Sequence, residues 1–159
     1  MKAASSKEIK TELQTKSPKD LMELVLRLAR FKKENKELLT YLLYESGNED
    51  GYVQSIKSLM DEEFSKINTN SFYYIKKSVR KTLRQVKKYI RYSPSKETEV
   101  ELLLYFCEKL KSLSPSIKYN VTLTNLFNRQ LEMARKKTKF LHEDLQFDYG
   151  EEIDTLYSK

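Results

Sequence analysis

The sequence predicts an all-α protein whose helical hairpins stack side by side, either as a bundle or as a short HEAT-like α-solenoid. The chain of 159 residues contains only three glycines and three prolines, too few for the many tight turns of a β-rich fold. Eleven tyrosines and seven phenylalanines supply large groups to bury, which a disordered chain lacks. Apolar residues also recur every three or four positions over long segments, which is typical of helices with one buried face.

Helix starts are marked by serines. Ser5 with Glu8 three residues later matches a capping box, in which each side chain accepts a hydrogen bond from the backbone of the other. Three Ser-Pro pairs, Ser17-Pro18, Ser93-Pro94 and Ser114-Pro115, combine a capping hydroxyl with a residue suited to the first helical turn. We expect each pair to lie at or near the start of a helix.

Between these starts, Gly47 and the segment 68–70 provide turn signals that end helices. The predicted helices cover about 6–15, 18–31, 34–46, 51–67, 71–92, 96–113 and 117–140. One long helix through Lys32-Lys33 is the alternative for the second and third. Paired in order, helices 2 to 7 give three hairpins spaced by roughly the 40–47 residues of HEAT and armadillo repeats. No residue motif recurs at that spacing, so it indicates an architecture and no family.

The predicted core lies where the most apolar segment meets the clearest single-face helix. Residues 102–107 are apolar on all sides, so we expect a helix covered by several neighbours. The helix 71–92 carries an apolar stripe with steps of three and four residues. The side chains predicted to pack together are Leu103, Phe106, Cys107 and Leu110 with Ile75, Val79, Leu83 and Val86.

The chain divides into three predicted parts: a short N-terminal helix in 1–16, a helical core domain in 17–141 and an acidic C-terminal tail in 142–159. The tail carries six acidic side chains interleaved with large apolar ones such as Phe147 and Tyr149. A purely solvated tail needs no such apolar groups. We therefore expect it to fold back onto its own domain or a neighbouring subunit, a mobile terminus being the alternative.

The expected location is the cytoplasm, without attachment to a membrane. The first residues lack the apolar core of a signal peptide. The longest apolar run, 102–107, is far shorter than the roughly 18 residues that a membrane span needs. Cys107, the single cysteine, is then expected to be a reduced and buried thiol.

The net charge of +7 is concentrated in two segments. Residues 71–92 contain eight basic and no acidic side chains, and residues 114–141 contain six basic and one acidic. Residues 1–70 are balanced, whereas 142–159 contain one basic and six acidic side chains. The excess positive charge is therefore confined to two predicted helices, and the tail has the opposite sign.

On a helical wheel the cations of 71–92 occupy one flank, with Tyr73 among them. Such a flank favours binding of a polyanion, and an exposed tyrosine can stack on a base. A second basic cluster follows in 129–139, where cations also stabilise a helix C-terminus. The candidate binding residues are Tyr73, Lys76, Lys77, Arg80, Lys81, Arg84, Lys87, Lys88, Arg91, Arg129, Arg135 and Lys136.

A structural interpretation of the same flank stays open. It is either a solvated helix face or a face neutralised by Glu97, Glu101 and Glu108, which recur on one side of the next helix.

Catalytic patterns are not found. Three scattered glycines do not form a phosphate-binding loop. Glu97 and Glu101 are spaced to share a metal, but a di-iron bundle also needs Glu-x-x-His motifs and the chain has one histidine, His142. We expect no catalytic residues, no metal and no cofactor.

The function that these observations favour is a non-enzymatic helical module that binds another protein. The alternative is a nucleic-acid-binding protein that uses the basic flank of 71–92 to contact the phosphate backbone, because no helix-turn-helix or zinc motif for reading bases is present. Neither the identity of the partner nor the oligomeric state follows from the sequence.

Overall fold

Eight α-helices form the secondary structure of the computed structural model, which describes residues 1–158. They are α1 (Ser6–Leu13), α2 (Pro18–Phe31), α3 (Lys33–Thr40), α4 (Glu49–Ser65), α5 (Phe72–Tyr92), α6 (Lys96–Lys111), α7 (Val121–Thr138) and α8 (Glu143–Tyr157). A π-helical turn, Tyr41–Glu45, follows α3, and a 3-10 turn, Ile117–Tyr119, precedes α7. Helix makes up 79% of the structure, with no strand in the described residues, so the predicted all-α fold is confirmed. None of the described helices combines the length and the apolar character needed to cross a membrane.

The first two predicted helix starts are confirmed. Ser5 and Glu8 form the full capping box at α1, and the Ser17 hydroxyl accepts a hydrogen bond of 3.1 Å from the Asp20 N–H at α2. The break between α2 and α3 falls at Lys32, whose backbone is extended. The Asn35 side-chain amide spans this break by donating to the Leu28 carbonyl at 2.8 Å, so 18–46 is not one continuous helix.

The other two Ser-Pro pairs do not cap their helices: Ser93 lies two residues before the cap of α6, and Ser114 lies six residues before the cap of α7. Ser95, and not Ser93, caps α6, because its hydroxyl accepts from the Thr98 N–H at 3.2 Å. Asn120 caps α7 by accepting from the Leu123 N–H at 3.1 Å. The predicted helix at 117–140 is therefore shorter, and its first residues form the 3-10 turn instead.

The contacts group into two compact units, Met1–Tyr44 and a C-terminal unit that begins at Glu45. This boundary lies within the segment 17–141. In the N-terminal unit, α2 and α3 fold back on each other as a hairpin.

In the C-terminal unit, α6 is the central helix and contacts α4, α5, α7 and α8. This position follows from its apolar run, since a helix that is apolar on every side must be covered on every side. All eight side chains predicted to form the core are buried, including Phe106, Cys107 and Val79 with no exposed area. The predicted core is confirmed.

The acidic tail forms α8 and packs against α6 and α7. Ile153 and Leu156 are its buried side chains, and Tyr149 is partly buried. The prediction that the tail folds onto its own domain is confirmed, but Phe147 does not take part in the docking, since its side chain is 66% exposed.

Candidate interaction surfaces

The N-terminal hairpin exposes large apolar side chains. Leu28 is 61% exposed and Phe31 is 76% exposed, and none of the residues of α1, α2 or α3 is buried. A contiguous exposed apolar surface on a folded protein usually marks a site of interaction. The hairpin is therefore the first candidate surface.

The exposure follows from the sequence of α2. Its apolar residues spread over roughly 220° of the helical wheel, more than a single neighbouring helix can cover. α3 covers one side and leaves an open groove with a volume of about 260 Å³. The groove is lined by Val25, Leu28, Ala29, Asn35, Leu38, Leu39 and Leu42.

A charged stripe runs beside the exposed apolar side chains of α2. Asp20, Glu23, Arg27 and Arg30 follow at steps of three, four and three residues, which places them on one side of the helix. Three of them, with Leu24, line one shallow surface depression. The acidic pair occupies the N-terminal half and the basic pair the C-terminal half, as the helix dipole favours.

The second candidate surface is the basic flank of α5. Lys77, Arg80, Lys81, Arg84, Arg91 and Tyr73 are exposed, whereas Lys76, Lys87 and Lys88 are partly buried. Lys81 lies 3.9 Å from a carboxylate oxygen of Glu63, and the Lys88 ammonium lies over the Tyr89 ring. The exposed cations extend along the whole helix.

Lys87 joins this flank to the second basic cluster. Its ammonium lies 3.8 Å from the Met133 sulfur of α7. Burial and the nearby Arg129 guanidinium lower the pKa of Lys87, since both disfavour its charged form. The fold therefore brings one cation of each predicted cluster together between α5 and α7.

Glu97, Glu101 and Glu108 of α6 do not pair with the α5 flank; the α6 acid that acts on it is Glu99, which favours the charged form of Lys87. Glu101 pairs with Lys57 of α4 at 2.7 Å, and Glu97 accepts a hydrogen bond of 3.0 Å from the Tyr149 hydroxyl. Glu108 is hydrogen-bonded to Glu152 of α8. These three acids therefore face α4 and α8.

The second basic cluster is engaged within the fold at two of its five cations. Arg135 pairs with Asp154 of α8 at 3.1 Å, and Lys137 lies 3.4 Å from Glu99 of α6. Arg129 and Lys136 are exposed. Fewer cations of this cluster are therefore available to bind a polyanion than the sequence predicts, because two of them form ion pairs within the fold.

His142 caps a helix, and the single cysteine, Cys107, is a buried thiol. The His142 ring nitrogen accepts the Asp144 N–H at 3.3 Å and caps α8. Burial raises the pKa of the Cys107 thiol to about 12. Within residues 1–158 no group of three or more His, Cys, Asp or Glu side chains is placed to hold a metal.

Sequence reasoning did not identify the apolar face of the hairpin. The signal was present in α2, where Leu24, Leu28 and Phe31 extend the apolar arc beyond what one neighbour buries.

Searches against known protein families, curated proteins and solved structures returned no significant match to this chain.

Proposed function

We propose that the protein is a non-enzymatic, cytoplasmic protein-protein interaction module and that its N-terminal hairpin carries the binding surface. The observation that carries the proposal is the exposed apolar face of α2, where Leu28 and Phe31 point to solvent. Aromatic and aliphatic anchors of this kind dominate the binding energy of protein interfaces. The C-terminal unit, by contrast, buries its own apolar core around α6.

Photo-crosslinking tests the proposal. Phe31 is replaced by benzoylphenylalanine, and Phe147, an exposed phenylalanine on α8, is replaced in the matched control. We expect a discrete protein adduct from position 31 in the native cells. The adduct should disappear with Leu28→Lys and persist with Met22→Lys, since Met22 is equally exposed, at 66% against 61% for Leu28, but lies on another side of α2.

If position 31 gives no more adduct than position 147, the proposed function is contradicted. An adduct that is insensitive to Leu28→Lys also contradicts it, because the α2 face would not carry the binding.

Nucleic-acid binding is the second candidate function, and the approach of Lys87 to Arg129 favours it. Burial and the Arg129 charge disfavour the charged form of Lys87 more than Glu99 favours it, so a phosphate that lies beside both cations lowers their free energy. The exposed cations of α5 continue this surface toward Tyr73. Binding of this type contacts the backbone and carries little sequence preference.

Fluorescence anisotropy with a single-stranded 20-nucleotide probe tests the second candidate. We expect the logarithm of the affinity to fall with the logarithm of the salt concentration by about 0.7 per neutralised phosphate. Arg84→Glu with Arg129→Glu should weaken binding at least about tenfold, whereas Lys2→Glu with Lys7→Glu, exposed cations of the N-terminal unit, should have little effect. Salt-independent binding, or equal loss in both variants, rejects this function.

A further inference from the structure

We propose that the partner that binds the exposed apolar face of α2 is a second copy of this chain. The two α2 helices lie antiparallel and are related by a two-fold axis at the level of Val25 along the helix. This inference rests on the proposed protein-interaction function and names its partner. It uses only residues of the N-terminal unit.

The order of charges on α2 is self-complementary. Asp20 and Arg30 are each five positions from Val25, and Glu23 and Arg27 are each two positions from it. A two-fold axis brings the same surface of both copies together. In the antiparallel pair, Asp20 therefore faces Arg30 of the second copy, and Glu23 faces Arg27.

The opposite orientation is disfavoured by the same residues. In a parallel pair of α2 helices, each acidic residue would lie at the level of the same acidic residue in the second copy. Each basic residue would likewise lie at the level of the same basic residue. Like charges at close range are repulsive and suppress the wrong arrangement. The charge order thus selects the antiparallel pair.

The apolar residues of α2 suit this arrangement. Leu24, Leu28 and Phe31 lie on the helical wheel directly beside the charged stripe, and all three are exposed. Near the axis, Leu24 lies within two residues of the level of its own copy, while Leu28 lies within one residue of the level of Leu21 of the second copy. An apolar centre with a charged rim is the usual composition of a protein interface.

The size of the N-terminal unit supplies an independent reason for association. The unit ends at Tyr44; none of the residues of its three α-helices is buried, and Tyr41 of the π-helical turn is its buried side chain. Chain segments of about 40 residues rarely bury enough surface to be stable alone and usually associate. Two helical hairpins that pair through their apolar faces form a four-helix bundle, which is a common solution.

Sedimentation of the full chain over a concentration series tests the proposal. We expect a concentration-dependent rise in mass from 18.9 kDa to twice that value. Leu28→Lys should weaken the dimer at least about tenfold, and Met22→Lys should not. Circular dichroism verifies that each variant keeps its helical content.

Charge reversal tests the pairing itself. One variant carries Asp20→Lys with Glu23→Lys, and the other carries Arg27→Glu with Arg30→Glu, so that each α2 stripe has a single sign. Each variant alone should dissociate more than about tenfold more readily than the natural chain. An equimolar mixture should restore the dimer, because every facing pair is then opposite in sign.

The possible outcomes separate this inference from the proposed function. A chain that stays monomeric while position 31 crosslinks to another protein overturns self-association and leaves the interaction function intact. A monomeric chain without adducts overturns both. A dimer that is unaffected by Leu28→Lys, or single-sign variants that do not recover on mixing, overturns the antiparallel α2 pair.

Discussion

At the scale of single residues, Gln130 is a buried polar side chain whose hydrogen-bonding capacity is not fully used. Its side chain is 1% exposed in α7, and its amide oxygen has no hydrogen-bond partner among residues 1–158. A buried acceptor without a partner forfeits its hydrogen bonds to water and gains none in return. The position therefore reduces the stability of the folded chain.

Gln130→Met should stabilise the protein by about 1–3 kcal/mol, because it removes the unpartnered amide and keeps a side chain of similar shape. Denaturant unfolding measures the change. Gln54→Met, at an exposed position of α4, is the control and should change stability by less than about 0.5 kcal/mol. A loss of stability with Gln130→Met would show that the buried amide is paired.

At the scale of elements, α8 meets α6 at a pair of carboxyl groups, Glu152 and Glu108. Burial, together with the hydrogen bond to Glu108 of α6, raises the pKa of Glu152 to about 7 from the ordinary 4.5. Glu101 of α6 acts in the same direction, and Lys57 of α4 opposes it. The folded chain is therefore most stable when the two carboxyl groups share a proton.

This pair predicts that stability falls as pH rises from about 4.5 to about 7, the ordinary and folded pKa values of Glu152. In this window the folded chain binds more protons than the unfolded chain, so raising the pH favours unfolding. Glu152→Gln should remove this part of the pH dependence and stabilise the protein at pH 8, as measured by thermal unfolding. Glu151→Gln, at an exposed neighbour, should leave the pH profile unchanged; identical profiles for Glu152→Gln and the natural chain would contradict the account.

Local signals in the sequence were sufficient for most elements and insufficient for their ends. The Ser5 box and the stripe of 71–92 depend only on near neighbours, so α1 and α5 form almost as predicted. The starts of α6 and α7 depend on which of several polar side chains reaches the first turn, and Ser95 and Asn120 do so. Competition among adjacent caps is decided by the packed structure.

The sequence pattern does not predict which distant segments of the chain pack against each other. Periodicity shows which face of a helix is apolar, but not which helix covers it. Glu97, Glu101 and Glu108 recur on one side of α6 as expected, yet they meet α4 and α8 and not α5. For the same reason, the sequence located the basic flank but not the uncovered face of α2.

For the whole molecule, the two units differ in what stabilises them. The C-terminal unit buries many side chains with no exposed area around α6, among them Leu103 and Val86. The helices α1 to α3 of the N-terminal unit bury none. The central claim is that contacts with a partner through the α2 face stabilise the N-terminal unit.

Amide hydrogen exchange along the full chain tests this claim most directly. We expect amides of α2 to be protected in the associated protein and to exchange at least about tenfold faster with Leu28→Lys, because local opening no longer breaks an interface. Amides of α6 should be unaffected, and Met22→Lys should leave α2 protected. Equal α2 protection in the natural chain and in Leu28→Lys would contradict the claim.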